Sequence, residues 1–301
     1  MPLPLPTDER ESVGCPAGLY VVATPIGNLE DITLRALRVL GAVALIAAED
    51  TRKTGRLLAA HHIAGHLVAF HEHNERERTP ALIRKLRAGA AIALVSNAGT
   101  PTVSDPGFRL VRAAVAAGVS VVPIPGVSAA VTALSVAGLP TDTFTFAGFS
   151  PRKSAKRLDH LRELADRPHT LVFYESPRRL PALLSELITA LGDRPAVLGR
   201  EMTKLHEEFI RARLSEIAEA LRARPPLKGE CTLLVAGRET PEPVSLETIV
   251  REVKARLQDK GGRLSSVVRD LAREHGLPKS RVYAAALKIK KEAPLKRSRN
   301  P

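Results

Sequence analysis

The chain has 301 residues, 44% of them hydrophobic and 26% charged, the balance of an ordinary globular protein long enough for two compact domains with cores of their own. No uninterrupted apolar stretch approaches the ~18 residues of a membrane-spanning helix. The net charge of +13 is uneven, with 15 Lys and Arg against 7 Asp and Glu in residues 241–301, the footprint of a polyanion binder and of nucleic acid before any acidic metabolite.

Residues 1–16 read as a disordered leader; 1–11 combine three prolines with acidic residues and hold no apolar run, so no signal peptide is expected. The only cysteines, Cys15 and Cys231, lack a partner motif and fit a reducing cytoplasm. Short runs at 19–22, 43–47, 91–95 and 119–124 are β-branched or small and nearly free of charge. They read as strands buried on both faces of a parallel sheet. Helices are expected at 31–40, with Asp31 as N-cap, and at 53–60, 77–88, 107–117 and 127–136. This alternation argues for βαβ units.

Each apolar run leads into a loop of unusual composition: Ala23-Thr24-Pro25-Ile26-Gly27-Asn28, Ala48-Glu49-Asp50-Thr51-Arg52, Ser96-Asn97-Ala98-Gly99-Thr100-Pro101 and Pro125-Gly126-Val127-Ser128-Ala129. Open parallel sheets bind ligands outside the carboxyl ends of their strands, so four such loops describe one pocket lined largely by backbone. Gly99 permits a positive φ or a close backbone approach, and Pro101 stiffens the exit. An ordinary tight turn explains any one of these loops; their order and spacing favour the pocket.

The pattern changes near 138–142. Strands are expected at 144–149, 170–174, 196–200 and 231–236, with helices at 154–165, 177–191 and 214–223, which suggests a second α/β domain with a mixed sheet. Residues 241–243 read as a linker. Amphipathic helices follow at 246–257, 264–275 and 280–291, the last two flanking Gly276-Leu277-Pro278 in the manner of a helix-turn-helix. A small bundle that only packs on the body is the alternative. The chain has neither a phosphate-binding P-loop nor a dinucleotide fingerprint, and no Cys/His cluster with zinc spacing. His71-Glu72-His73-Asn74 reads as a solvated or RNA-facing loop, and no metal is expected.

Taken together, Thr24-Pro25-Ile26-Gly27-Asn28-Leu29 with Asp31-Ile32-Thr33, Ala48-Glu49-Asp50-Thr51-Arg52, Ser96-Asn97-Ala98-Gly99-Thr100-Pro101 and Phe173-Tyr174-Glu175-Ser176 resemble the tetrapyrrole-methylase-like superfamily, in its branch that methylates ribosomal RNA. Arg200-Glu201-Met202-Thr203-Lys204 and Lys228-Gly229-Glu230 extend the likeness, which spans about residues 18–290. The resemblance implies a class III methyltransferase fold: α/β domains at 17–140 and 141–240, then a basic helical RNA-binding extension at 241–301. It implies a cytoplasmic homodimer that transfers methyl from S-adenosylmethionine to the ribose 2′-oxygen of a decoding-region cytidine in 16S rRNA of the small ribosomal subunit.

Carried over by position, Pro25, Asn97, Ala98, Gly99, Thr102, Val103, Ser128 and Ala129 would line the coenzyme from the first domain, and Tyr174, Glu175, Arg200 and Glu230 from the second. The family usually has Asp where this chain has Asn97, which puts a carboxylate contact to the coenzyme in doubt. The family's commoner Pro after Gly126 is also replaced, by Val127. A ribose hydroxyl is a poor nucleophile, so a base or a charge that stabilises the alkoxide is expected. Glu49, Asp50, Arg52 and Lys53 share a strand-end loop suited to that work, although Asp50 and Arg52 also suit a structural ion pair. RNA contacts are expected from Asn28, His71, Asn74, Arg152, Lys153, Lys279, Arg281 and Lys288. A small-molecule tetrapyrrole methyltransferase would not need the basic tail, and a non-catalytic ribosome-binding protein would not need the cleft loops.

Overall fold

The computed structural model describes residues 14–238, 246–260, 264–274 and 277–292; most of the expected leader and the whole expected linker at 241–243 lie outside the described residues. Residues 14–238 form one compact unit and the C-terminal helices form another.

The first unit is built on two five-stranded sheets. One is all parallel and comprises β1 (Gly18–Val22), β2 (Leu45–Ala48), β3 (Leu67–Ala69), β4 (Ala91–Val95) and β5 (Val121–Ile124), in the order β3-β2-β4-β1-β5. Five helices belong to this half: α1 (Leu34–Ala42), α2 (Thr51–Ala60), α3 (Glu75–Arg87), α4 (Phe108–Ala116) and α5 (Ala129–Ala137). All of β4 is buried, and its side chains alternate. Ala91, Ala93 and Val95 pack with Val39, Leu40 and Leu58 of α1 and α2, while Ile92 and Leu94 pack with Leu82, Leu86 and Leu110 of α3 and α4. Burial on both faces is why the strand carries no charge.

Three details differ from the sequence reading. Asp31 is not the N-cap of α1; it ends a single 3-10 turn, and Thr33 caps the helix by accepting from Ala36 N. The strand expected at 119–124 starts at Val121 and is an edge strand that is only partly buried, which explains its tolerance of Pro123. β3, only three residues long and half-buried, gave no periodic signal.

The second sheet is mixed, as expected. It comprises β6 (Phe144–Phe149), β7 (Thr170–Glu175), β8 (Pro195–Arg200), β9 (Glu208–Arg213) and β10 (Cys231–Val235), in the order β6-β7-β10-β8-β9. Only β6 and β7 pair in parallel. β9 escaped the sequence reading because an edge strand can carry Glu208, Arg211 and Arg213. One face is covered by α6 (Ser154–Leu164), α7 (Leu180–Leu191) and α8 (Leu214–Arg222). The other receives α5, whose Ala130, Ala133, Leu134 and Ala137 pack with Val172, Val197 and Leu234. The uncharged sequence of α5 suits this place, where it ties the two sheets together.

The second unit comprises α9 (Leu246–Lys260), α10 (Leu264–Glu274) and α11 (Lys279–Glu292) around a core that includes Ile249, Val253, Val268, Leu271 and Val282. Arg256 and Glu274 join α9 to α10 through paired hydrogen bonds of 3.1 and 2.6 Å. No helix among the described residues is long and apolar enough to cross a membrane.

Candidate functional site

In the first sheet the chain leaves β1 toward one side and β4 toward the other, although these strands are neighbours. The loops that follow them meet at this switch point. Thr24 and Gly99 exchange two backbone hydrogen bonds of 2.9 Å, which fixes the two loops to each other. Gly99 has φ +74°, and a side chain there would meet only ordinary contacts at 3.6 Å from Ile26 and 3.7 Å from the Val127 carbonyl. Backbone conformation, rather than crowding, selects glycine.

Beyond these loops lies a cavity of about 360 Å³ between the two sheets. Its floor is Asn97, Ala98, Gly99 and Thr100, after β4. The backbone N–H of Asn97 donates to Glu49 Oε2 at 3.0 Å, joining the β2 loop to the floor. The Asn97 side-chain oxygen is buried and accepts no hydrogen bond among the described residues. Such an orphaned acceptor suits a donor group on a ligand.

The next segment turns sharply. Thr102 at φ 74° and Ser104 at φ 63° both adopt the left-handed conformation that non-glycine residues avoid. This places Asp105 in the cavity wall. Loss of water contact pushes the Asp105 carboxyl up from 3.8 to about 6; the nearby Glu49 and Glu230 carboxylates add to the shift, and a Ser96 hydrogen bond opposes it. Asp105 thus holds and releases a proton near neutral pH.

The second sheet supplies the opposite wall. Tyr174 Oη accepts from Ala130 N at 3.0 Å, locking the ring over the start of α5. The Glu175 side chain is fully buried, with Arg179 Nη2 at 2.5 Å, Ser176 N at 2.7 Å and the Ser150 hydroxyl also donating. It is wall structure with its charge already met. Phe149 is half exposed and sets its ring edge-on to Tyr174 at 5.7 Å. Burial pushes the Cys231 thiol up to about 11, so it lines the cavity as an inert group.

The structure brings together most of the coenzyme residues named from sequence: Asn97, Ala98, Gly99, Val103, Ser128 and Ala129 on one side. Tyr174, Glu175 and Glu230 face them. Thr102 sits in the strained turn without lining the cavity, and Arg200 is engaged by Glu208 at 3.1 Å. Of the four loop residues proposed for chemistry, Glu49 and Lys53 reach the cavity and Asp50 and Arg52 do not. Asp50 is the N-cap of α2, and hydrogen bonds from the backbone N–H groups of Arg52 and then Lys53 hold its carboxyl below the ordinary range. Arg52 is largely exposed and lies 3.5 Å from Asp50. The sequence reading missed Asp105, Ser104 and Phe149; the segment 102–107 carries only the signal of a turn.

Two of the residues expected to face RNA, Asn28 and Asn74, also make hydrogen bonds within the fold. Asn28 Oδ1 accepts from Glu30 N, and its own N–H donates to Thr203 Oγ1 at 3.1 Å. Asn74 accepts from His71 N at 2.8 Å and donates to Ala69 O at 3.1 Å, shaping the entry to α3. Arg152 and Lys153 are exposed at the start of α6, whereas the neighbouring Arg157 is buried, paired with Glu186 at 2.5 and 2.8 Å. Lys279 and Arg281 are exposed on α11, where Lys288 also lies. No group of three His, Cys, Asp or Glu residues suited to a metal occurs among the described residues.

A second cavity of about 290 Å³ adjoins the first. It holds Pro25, and its cationic lining is Lys53, Arg56 and Lys204.

Comparison with known proteins agrees with this geometry. The profile of Tetrapyrrole (Corrin/Porphyrin) Methylases matches residues 18–218. The chain is 48% identical over 269 residues to ribosomal RNA small subunit methyltransferase I of Micromonospora olivasterospora, covering 88% of this chain and 85% of that protein. It is 50% identical over 226 residues to the protein of the same name from Pseudomonas aeruginosa, covering 74% and 80%. Among solved structures, uroporphyrin-III C-methyltransferase from Thermus thermophilus complexed with S-adenosylhomocysteine superposes with a TM-score of 0.52 at 25% identity, covering 73% of this chain and 97% of that one.

Proposed function

The chain belongs to the tetrapyrrole (corrin/porphyrin) methylase family and, within it, to the ribosomal RNA small subunit methyltransferase I group, and we propose that it methylates the ribose 2′-oxygen of a cytidine in the decoding region of 16S rRNA, using S-adenosylmethionine. The observation that carries this reading is the cavity between the sheets, whose lining fits that coenzyme. Glu49 and Asp105 suit a ligand with net positive charge, and the unpartnered Asn97 Oδ1 suits one of its N–H groups. The structural relative's complex with S-adenosylhomocysteine supports the same choice.

When bound, the coenzyme supplies an electrophilic methyl carried on a sulfonium. The protein's own residues do the rest. Asn97 to Thr100 and Tyr174 orient, and Phe149 restricts water at the mouth. The Asp105 carboxylate, with Glu49 beside it, accepts the proton that the ribose hydroxyl gives up. A base titrating near working pH suits that task, and alignment of the reactants supplies much of the remaining acceleration.

The basic C-terminal unit would hold the RNA, with Lys279 and Arg281 on the exposed side of α11. We place the reaction in the cytoplasm and assign the chain to a homodimer; the exposed Phe108 and Val115, seven residues apart on α4, suit a partner surface. The test is incubation of ribosomal RNA and of 30S particles with methyl-labelled coenzyme, followed by nucleoside mapping. Label in 2′-O-methylcytidine of 16S rRNA is expected; label elsewhere, or none, refutes the reading.

A further inference from the structure

The two adjoining cavities differ in the balance of charge that each has to itself. They share Ile26, Lys53, Asn97, Ala98 and Glu230, so a group bound in one lies beside a group bound in the other. The inner cavity carries the carboxylates of Glu49 and Asp105, whereas the outer one carries Lys53, Arg56 and Lys204. Lys204 is already committed to Glu201 at 2.7 Å and Glu230 at 3.0 Å. Lys53 and Arg56 are exposed and have no ion-pair partner among the described residues.

The local fold explains this placement. Lys53, Arg56 and Leu57 stand at i, i+3 and i+4 on α2 and therefore share one face. Asp50 anchors the start of that helix beside the inner cavity. The far wall is closed by the 202–204 segment, which approaches Gly27 so tightly that any side chain there would collide with Lys204 Cγ and sit 2.7 Å from Thr203 Oγ1. Half-exposed Leu29 and partly buried Leu57 add apolar surface. The result is a rigid, partly apolar recess with two free cations on its rim, of a size for one small unit and not for a duplex.

We infer that the outer cavity is the seat of the acceptor nucleotide, a single ribonucleotide drawn out of its strand, with its phosphate held by Lys53 and Arg56. The inference rests on the proposed RNA-methylating function. A nucleotide seated there would present its ribose across the shared wall of Asn97 and Ala98 toward the inner cavity. Extrusion of one unit from the strand is the usual solution when the target atom is otherwise out of reach. The rim cations would fix the backbone and the recess would fix the sugar.

The test uses the full chain and Arg56→Ala, with Arg56→Lys as control. In steady-state methyl transfer to 30S particles, Arg56→Ala should raise KM about tenfold while kcat changes by less than about twofold. The slope of log KM against log salt should fall by roughly 0.7–0.9, the change expected when one phosphate is no longer neutralised, and Arg56→Lys should restore most of both. Calorimetry with S-adenosylhomocysteine should give an unchanged Kd for Arg56→Ala. Cytidine 5′-monophosphate should shift the Leu57 methyl resonances of the parent protein and not those of Arg56→Ala. A parent protein that methylates 30S particles, with an Arg56→Ala variant of identical KM and salt slope, overturns the inference and leaves the proposed function standing. Leu57 shifts in a protein that transfers no methyl to any RNA overturn the proposed function and the acceptor role together, and leave only nucleotide binding in the outer cavity.

Discussion

Replacing Asp105 by Asn should make the protein more stable and much less active. Moving a carboxyl from 3.8 to about 6 corresponds to a penalty of about 3 kcal/mol on its charged form. Partial contact with solvent screens this to about 1–2 kcal/mol. A neutral amide of the same shape removes both the desolvation penalty and the repulsion from Glu49 and Glu230. At pH 7.5 the variant should therefore unfold roughly 2–8 °C higher. The gain has a defined pH window. A carboxyl whose folded value is raised is at no disadvantage below its unfolded value of 3.8, and folding stability is lost as pH rises through about 6. The two proteins should thus melt together below about pH 4 and diverge up to about pH 7.

The activity should move the other way. Methyl transfer by the parent should rise as pH passes about 6 and level off above it, when Asp105 is ionised. Asp105→Asn should lose about 10²–10⁴-fold in kcat with its pH dependence flattened, while still binding S-adenosylhomocysteine. Differential scanning calorimetry from pH 3.5 to 8 and initial rates over the same range measure both effects. A variant that melts lower than the parent at pH 7.5, or that turns over at the parent's rate, refutes the reasoning.

Asn97→Asp should tighten S-adenosylmethionine by up to about tenfold relative to S-adenosylhomocysteine, because only the former carries the sulfonium charge; calorimetry with both ligands checks this, and equal changes for the two would contradict it. Gly99→Val should cost about 1–2 kcal/mol through its φ of +74° and distort the floor enough to weaken coenzyme binding, read by thermal unfolding and calorimetry on one sample. Arg157→Ala strands Glu186 without its buried partner and should cost about 3 kcal/mol or more by urea unfolding, with RNA affinity unmoved. Truncation after Arg238 removes a unit with a core of its own; filter binding across a salt series should show weaker RNA binding with a flatter salt slope, and coenzyme affinity should not change.

What could be read in advance follows from where charge is tolerated. β1, β2 and β4 are buried on both faces, so they can hold no charge and stand out in the sequence. β9 pairs along one edge only, and Glu208, Arg211 and Arg213 hide it. Asp31 and Thr33 are equally good caps by residue type; the choice falls on Thr33 because its extended backbone leads directly into the first helical turn. Polar loop residues were the least legible. Asn28, His71 and Asn74 have the chemistry of RNA contacts, and residue type alone does not say that Asn28 and Asn74 also bond within their own turns and tie down the His71 backbone.

Asp105 shows why the site's chemistry was harder to read than its location. Val-Ser-Asp-Pro-Gly is the composition of a surface turn, and nothing in the residue types says which way the carboxylate points. Its direction is set by two left-handed non-glycine residues, Thr102 and Ser104, and by the tether of Gly107 N and Arg109 to Glu75 on α3 at 3.2 and 2.9 Å. Strain at those two positions costs about 1–3 kcal/mol each and is kept only where the surroundings over-determine it. Here part of those surroundings is the Glu75 tether on α3, which does not line the cavity, while the effect is delivered inside it. Loosening the tether with Glu75→Gln should then lower kcat without touching the coenzyme floor, since the Thr24–Gly99 bridge that holds the floor involves no residue of α3.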